Sequence, residues 1–274
     1  MIDYVIASYN RPDDIKKKTL KMLAYNKIPI DRIYIVVADK QQEKLYRQSN
    51  PDYKIVVGQK GIIQVRNFIR RKWSGKKICM MDDDIKSIRQ YLDKGKWGQL
   101  RKISNLDKLM TKGFELLDKY GGRLIGISAS SNTRSLSEDI TAGLTLVGMI
   151  WGEHCDGKIQ MKTECSNIED CLLGLAYYKK YKSGIKFNGI TSSAGLEVGV
   201  NDGGNQTKGN MDRTDKSVLD CQMRLIIKPW ADLITGYKVK SFDYSGSGNQ
   251  GNKMYNIRWK KDLKKVVGQL KSVY

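Results

Sequence analysis

The sequence predicts an α/β protein, a single domain built on a mostly parallel central sheet flanked by helices. Three observations predict it. Over the first hundred residues, short strand-type runs alternate with helical patterns, the arrangement that builds right-handed βαβ units. The run Ile33-Tyr34-Ile35-Val36-Val37 is apolar without interruption, as a strand covered on both faces must be. The apolar segment Lys77–Met81 runs straight into Asp82-Asp83-Asp84, placing carboxylates at a strand's carboxyl end, where open α/β sheets bind ligands.

The elements follow in order. Residues 3–7 read as a strand, and Pro12-Asp13-Asp14 supplies a helix start. In that helix Ile15, Leu20, Met22 and Leu23 face inward. Residues 32–38 form a second strand and 53–57 a third. Residues 61–73 form a helix with Ile62, Val65 and Ile69 on one side and a markedly basic opposite face. Lys77–Met81 is the fourth strand. Leu106, Leu109, Met110, Phe114 and Leu117 recur at helical spacing, and Gly121-Gly122 closes that helix. Residues 124–127 and 144–150 read as strands, 168–181 as a helix and 185–188 as a strand. Two polar, glycine-rich stretches, 201–217 and 245–252, read as mobile loops, serving either as lids over the donor or as disordered insertions. Leu263, Val266, Val267 and Leu270 predict a terminal amphipathic helix. No internal repeat or linker divides the 274 residues, so the expectation is one domain with halves at 1–100 and 101–274.

Composition narrows the function classes. No apolar run approaches the roughly 18–20 residues of a membrane-spanning helix, and no basic leader with an apolar core precedes Ile2. A cytoplasmic protein with no membrane partner is expected. The five cysteines form no CxxC pair, which argues for free thiols rather than a disulfide framework or a cysteine zinc site. Lys and Arg number 49 against 29 Asp and Glu, a net charge of +20. Such a field favours polyanions, nucleic acid above all, although a lysine-rich solvated surface has the same composition.

Chemistry concentrates in two acidic segments. Adjacent carboxylates repel and raise one another's pKa, so Asp82-Asp83-Asp84 gains from a cation. Oxygen ligands suit Mg²⁺ or Mn²⁺ bridging a diphosphate, while an acidic loop or helix start is the plainer alternative. The second segment is Asn167-Ile168-Glu169-Asp170-Cys171. It reads either as a helix N-terminus carrying a catalytic carboxylate or as an ordinary capped helix start.

The fragments Ser8-Tyr9-Asn10-Arg11-Pro12, Asp39 after the second strand, Gly61-x4-Arg66-Asn67 and Asp82-Asp83-Asp84 fall in one order. Together they resemble the nucleotide-sugar-binding half of GT-A (Rossmann-like) glycosyltransferases. Val65 stands where that family usually has alanine, and Ala38-Asp39-Lys40 replaces its Asp-Asp-Gly-Ser. The resemblance implies a metal-dependent transferase with a nucleoside-diphosphate sugar, UDP-linked, as donor. It implies that Ser8, Tyr9, Arg11 and Asp39 line the nucleotide pocket, and that Arg66, Asp82 and Asp83 meet the donor. Asp84, with Asp82, would hold Mn²⁺ or Mg²⁺. Glu169-Asp170 resembles the Glu-Asp helix start of inverting members, which implies Asp170 as the base for the acceptor hydroxyl and Glu169 as neighbour or alternative. Trp151, in Gly148-Met149-Ile150-Trp151-Gly152, would wall the acceptor side. His154, the only histidine, precedes that helix, whereas the family's metal-binding histidine follows it, so a structural histidine is the expectation.

The acceptor is read from charge. Arg70-Arg71-Lys72-Trp73, residues 94–102 around Trp97, and Arg258-Trp259-Lys260-Lys261 interleave basic and aromatic residues, as a DNA-binding surface would. Solvated faces with half-buried tryptophans look the same. The chain also resembles the phage-type and kinetoplastid-type DNA-base glycosyltransferases that accompany base-hydroxylating dioxygenases. That resemblance implies a 5-hydroxymethylpyrimidine in DNA, such as 5-hydroxymethylcytosine, as acceptor. The rival readings are a transferase acting on a polysaccharide or lipid, a two-metal nucleotidyltransferase or nuclease, and a non-catalytic DNA-binding module on a degenerate fold.

Overall fold

The computed structural model describes residues 1–93, 98–161, 168–194, 215–241 and 253–270. Strand β1 (Ile2–Ala7) leads into a continuous helical run made of α1 (Pro12–Ile15), a π-helical turn (Lys16–Leu20) and α2 (Lys21–Tyr25). There follow β2 (Ile33–Val37), α3 (Lys40–Ser49), β3 (Lys54–Val57), α4 (Ile62–Lys72) and β4 (Lys77–Met81). β5 (Ile85–Leu92) and β6 (Gln99–Lys102) precede α5 (Leu106–Tyr120) and β7 (Leu124–Ser128). The chain continues through β8 (Asp139–Gly143), β9 (Ile150–His154), α6 (Glu169–Tyr181) and β10 (Ile185–Ala194). The last described elements are α7 (Asp215–Gln222), β11 (Ile234–Ser241), β12 (Lys253–Trp259) and β13 (Lys264–Gln269).

Eleven of these strands form one sheet, whose main path runs β13-β8-β10-β7-β9-β4-β1-β2-β3, with β5 and β6 branching from β10. β1 to β4 pair in parallel, as do β7 and β10. β9 lies antiparallel to both β4 and β7, so it restores the direction of the sheet across itself. Along the main path only β8 and β9 oppose the other strands. The expected α/β class with a mostly parallel sheet is what the chain adopts.

The alternation along β1 explains why helices cover both faces. Tyr4 and Ile6 pack with Ile15, Leu20 and Leu23 of the first helical run and Leu106, Leu109 and Phe114 of α5. Val5 faces the other way, with Ile63, Val65 and Ile69 of α4 and Leu173 and Tyr177 of α6. A strand buried on both faces carries apolar side chains at consecutive positions, which is how β1, β2 and β4 read. Gly121 ends α5 in the left-handed region at φ 75, the C-terminal geometry that favours glycine.

Two predicted elements differ. Leu144 and Val147 are buried, but residues 144–149 are irregular and β9 begins only at Ile150. The terminal segment is a strand, β13, rather than an amphipathic helix. Its spacing of apolar residues suits either structure, and pairing with β8 decides the outcome. Leu263 and Leu270 are buried at its two ends while Val266 stays exposed, and Lys264-Lys265 mark an edge strand as charged residues commonly do. Gly143 admits this pairing, since at φ 128 a Cβ there would strike the Leu263 carbonyl. The stretches 201–214 and 245–252 lie outside the described residues, as do residues 94–97 of the basic cluster 94–102, whose Gln99–Lys102 segment forms β6.

Cys79, Cys155 and Cys171 are free thiols, while Cys221 is disulfide-bonded, so the all-thiol expectation holds for those three. No helix among the described residues is long and apolar enough to cross a membrane.

Candidate active site

Register fixes where the site lies. Ile6 pairs with Met81 and Ala7 with Val36, so β1, β2 and β4 end side by side. Their carboxyl ends deliver Ser8 to Arg11, Asp39 and Asp82 to Asp84 to one edge of the sheet. This is the crevice in which doubly wound sheets bind ligands.

Asp83 organises the β1 side of that edge. It is buried, accepts a hydrogen bond from Ser8 Oγ at 2.6 Å, and pairs with Arg11 Nη1 at 3.1 Å. Tyr46 Oη of α3 lies 2.5 Å from Ser8 Oγ and accepts from the Arg11 backbone N–H at 3.0 Å. Because Ser8 donates to Asp83, Tyr46 donates to Ser8, giving one directional chain across three elements. Burial raises both the Tyr46 phenol, to about 12, and the Asp83 carboxyl, the latter opposed by Arg11 and the Ser8 hydrogen bond, which favour its charged form. Gln42 of α3 bonds Asn10 on both its amide atoms, and Asp39 caps the same helix by accepting from the Gln42 N–H at 2.9 Å. Asn10 sits at φ 55, a left-handed turn that asparagine tolerates well. Tyr9 is half-buried beneath the Lys60 ammonium, 5.6 Å from its ring centre.

Arg66 joins the two acidic segments. It is 5% exposed; Nη2 pairs with Asp82 at 2.9 Å and Nη1 with Glu169 at the start of α6. The guanidinium lies 4.8 Å over the Trp151 ring. Residues 82 and 169, read separately from the sequence, therefore meet at one side chain. Asp170 stands within electrostatic reach of Arg66 and accepts from its neighbour's Cys171 N–H at 2.7 Å. Burial raises the Asp170 carboxyl, opposed by that hydrogen bond and by Arg66. Glu169 is the more enclosed of the pair, tied to Arg66.

The aspartates at the end of β4 carry the electrostatic cost expected of them. Burial pushes Asp82 up to about 7, Arg66 pulls it down, and Asp84 and Asp83 push it further up. Asp84 is raised by burial and by Asp83, against Arg11 and Lys18. Among the described residues no three carboxylate, histidine or cysteine side chains form a ready-made metal cage. Asp83 is committed to Ser8 and Arg11 and Asp82 Oδ1 to Arg66, which leaves Asp82 Oδ2 and Asp84 as hard oxygen donors. Such a pair fits a Mg²⁺ or Mn²⁺ ion whose remaining ligands are diphosphate oxygens and water.

Two sequence readings change, and the expectation of a structural His154 does not. Trp151 is fully buried, its Nε1 donating to Glu153 Oε2 at 2.9 Å, so it is the floor under Arg66 and not an exposed acceptor wall. The basic face of α4 is partly internal: Arg70 is 0% exposed and lies 3.1 Å from a fully buried Glu153, which also accepts from Tyr177 at 2.6 Å. Trp73 beside it is buried, donating to Asp3, so Arg70-Arg71-Lys72-Trp73 does not form one exposed strip. His154 faces Lys77 at the opposite end of β4 from the aspartates, near the Gly75 carbonyl. Four residues of strand, roughly 13 Å, keep it from any metal at Asp84.

Sequence reasoning passed over Thr19, Glu153 and Tyr46, and read Arg70 as a surface charge rather than as the buried partner of Glu153. Thr19 is fully buried on the π-helical turn; its hydroxyl donates to the Asp82 carbonyl at 2.9 Å and accepts from the Ile85 N–H at 3.0 Å, bracing the aspartate turn. Glu153 left one signal, a lone acid in an otherwise apolar strand segment.

Among curated proteins, none matches the chain. Solved structures give remote likenesses. S. aureus TarS 1-349 shares 18% identity over 70% of this chain and 60% of that one, with a TM-score of 0.45, and its complex with UDP shares 19% over 70% and 59%, again at 0.45. The mannosyltransferase PcManGT from Pyrobaculum calidifontis, in complex with GDP-Man and Mn2+, shares 14% over 56% and 44% at 0.36. The chain thus spans about three fifths of the TarS 1-349 structure, and likeness at these scores adds no weight. The family match is of another kind: residues 4–191, from β1 into β10, fit the model described as TET-associated glycosyltransferase, and the chain belongs to that family of glycosyltransferases.

Proposed function

We propose that this glycosyltransferase moves a sugar from a UDP-linked donor to the hydroxymethyl group of a 5-hydroxymethylpyrimidine in DNA. The observation that carries the reading is the Arg66 guanidinium, shared between Asp82 at the end of β4 and Glu169 at the start of α6. One buried cation brings a donor-side carboxylate and an acceptor-side acidic pair into a single site. The family's description as TET-associated and the net charge of +20 support a polyanionic acceptor bearing an oxidised pyrimidine. On this reading residues 1–100 serve the donor and 101–274 the acceptor, and the reaction runs in the cytoplasm.

The roles follow from the contacts. Asp83, held by Ser8 and Arg11, keeps the Ser8–Arg11 turn in shape for the nucleotide, with Tyr9 and Asp39 at its rim. Asp82 and Asp84 would hold Mn²⁺ or Mg²⁺, which when bound supplies Lewis-acid stabilisation to the departing diphosphate. Asp170 accepts the proton of the acceptor hydroxyl as its oxygen attacks the anomeric carbon and the bond to the nucleotide breaks. A carboxylate suffices because the hydroxyl becomes acidic as the new bond forms, and burial makes Asp170 a stronger base than an exposed aspartate. Arg66 keeps Glu169 and Asp82 in fixed relation while Trp151 supports it from below.

Intact-mass analysis tests the proposal. The protein is mixed with Mn²⁺, a panel of nucleotide sugars, and oligonucleotides carrying cytosine, 5-hydroxymethylcytosine or 5-hydroxymethyluracil. A sugar-sized gain confined to a hydroxymethylated base and to UDP donors is the expected outcome. Transfer to a polysaccharide or lipid, with every DNA left unchanged, would refute the acceptor.

A further inference from the structure

A cavity of about 400 Å³ opens between the helical run 12–25, β5 and β6. None of its lining residues belongs to the donor and acceptor site described above. Lys17, Lys18, Lys21, Lys86 and Lys102 line it, and no carboxylate does. Among the described residues only Lys18 of these five has an ion pair, to Asp14 at 3.9 Å. Five ammonium groups around one concavity repel each other, and low-dielectric walls concentrate their field. Met22, Ile88 and Ile103 form an apolar floor, each nearly fully buried, and Tyr25, 56% exposed, stands at the rim. Cationic walls, an apolar floor and an aromatic edge match the parts of a nucleotide: phosphate, sugar and base.

The cavity adjoins the aspartate turn through its backbone. Lys86 is two residues beyond Asp84, and Lys18 precedes Thr19, whose hydroxyl bonds both the Asp82 carbonyl and the Ile85 N–H.

We infer that this lysine-lined cavity seats the phosphodiester backbone of the acceptor strand beside the reacting nucleotide, and so sets affinity for DNA. The inference rests on the DNA-acceptor reading and adds to it the place where the strand is held.

The test uses the full chain with Lys21→Glu, Lys86→Glu and Lys102→Glu combined, and a parallel set of Lys→Gln changes that keeps the question answerable if charge reversal prevents folding. Fluorescence anisotropy follows binding of an unmodified labelled strand and its duplex from about 50 to about 200 mM salt. UDP and inorganic pyrophosphate are titrated alongside. The expected result is a loss of about tenfold or more in DNA affinity at low salt. The slope of log K against log salt should shrink by about two to three, roughly 0.7–0.9 for each phosphate contact removed, with UDP affinity unchanged. DNA binding by the wild type that the variants retain in full overturns the inference and leaves the acceptor reading standing. Loss of pyrophosphate binding with DNA binding intact makes the cavity a small-anion site and also overturns it. Absence of salt-dependent DNA binding in the wild type overturns both.

Discussion

Helix α4 and the cavity beside β5 carry similar positive charge and use it in opposite ways. Arg66 and Arg70 turn into the protein, 5% and 0% exposed, each against carboxylates from other elements. Lys21, Lys86 and Lys102 lie exposed, without a carboxylate within 4 Å among the described residues. The arginine fork suits fixed, buried pairing with several partners, whereas lysine is a hydrated point charge that adapts to a mobile phosphate chain. The difference separates charge paired inside the fold from charge left open at the surface, a distinction that a net charge of +20 does not contain.

The sharpest way to break this comparison is to remove one member of each group. Arg70→Ala leaves Glu153 buried without its cation and should cost about 3–5 kcal/mol of stability. Lys86→Ala should stay within about 0.5 kcal/mol. Denaturant midpoints of the two variants check this, and equal losses would erase the distinction. Arg66→Lys preserves charge but cannot hold Asp82 and Glu169 together; turnover should fall roughly a hundredfold, about 2.7 kcal/mol. Steady-state rates with the donor saturating would read it. Thr19→Val keeps the shape but strips the brace from the aspartate turn, leaving the buried Ile85 N–H unpaired, and should cost about 1–3 kcal/mol. Unfolding curves give the number, with loss of turnover exceeding loss of stability if the brace serves the site.

The smallest effect is a pH dependence. Asp82 is raised from 3.8 to about 7 in the folded protein, so the native state binds its proton more tightly than the unfolded chain. That contribution to stability is complete below the unfolded value and is lost as pH rises through about 7. Asp82→Asn should therefore gain on the wild type as pH rises across that interval, modestly because the side chain is about a third exposed. A stability difference that stays flat with pH would contradict the raised carboxyl.

Much of this fold was legible because its first four parallel strands are continuous apolar runs with helices between them. The segments 144–149 and β13 were not. A short apolar run at spacings of three and one fits helix and strand alike, and the partner that selects β13 is β8, some 120 residues earlier. The site divided in the same way. Asp82, Asp83, Asp84, Glu169, Asp170 and Arg66 stood out because acids clustered at element ends, and one arginine in an ordered series of fragments, are local patterns. The Arg70–Glu153 pair spans 83 residues and shows only when α4 and β9 pack. Trp151 looked like a binding face because sequence gives an aromatic no burial.

The account rests on Asp170 as the base of a site assembled by Arg66, and Asp170→Asn tests it most directly. Product is measured by intact mass on 5-hydroxymethylpyrimidine DNA with UDP-sugar and Mn²⁺, and donor affinity by titration calorimetry. The account predicts that the variant binds donor as the wild type does and forms product at least about a thousandfold more slowly, the scale of general-base loss at such a centre. Transfer at the wild-type rate would contradict it.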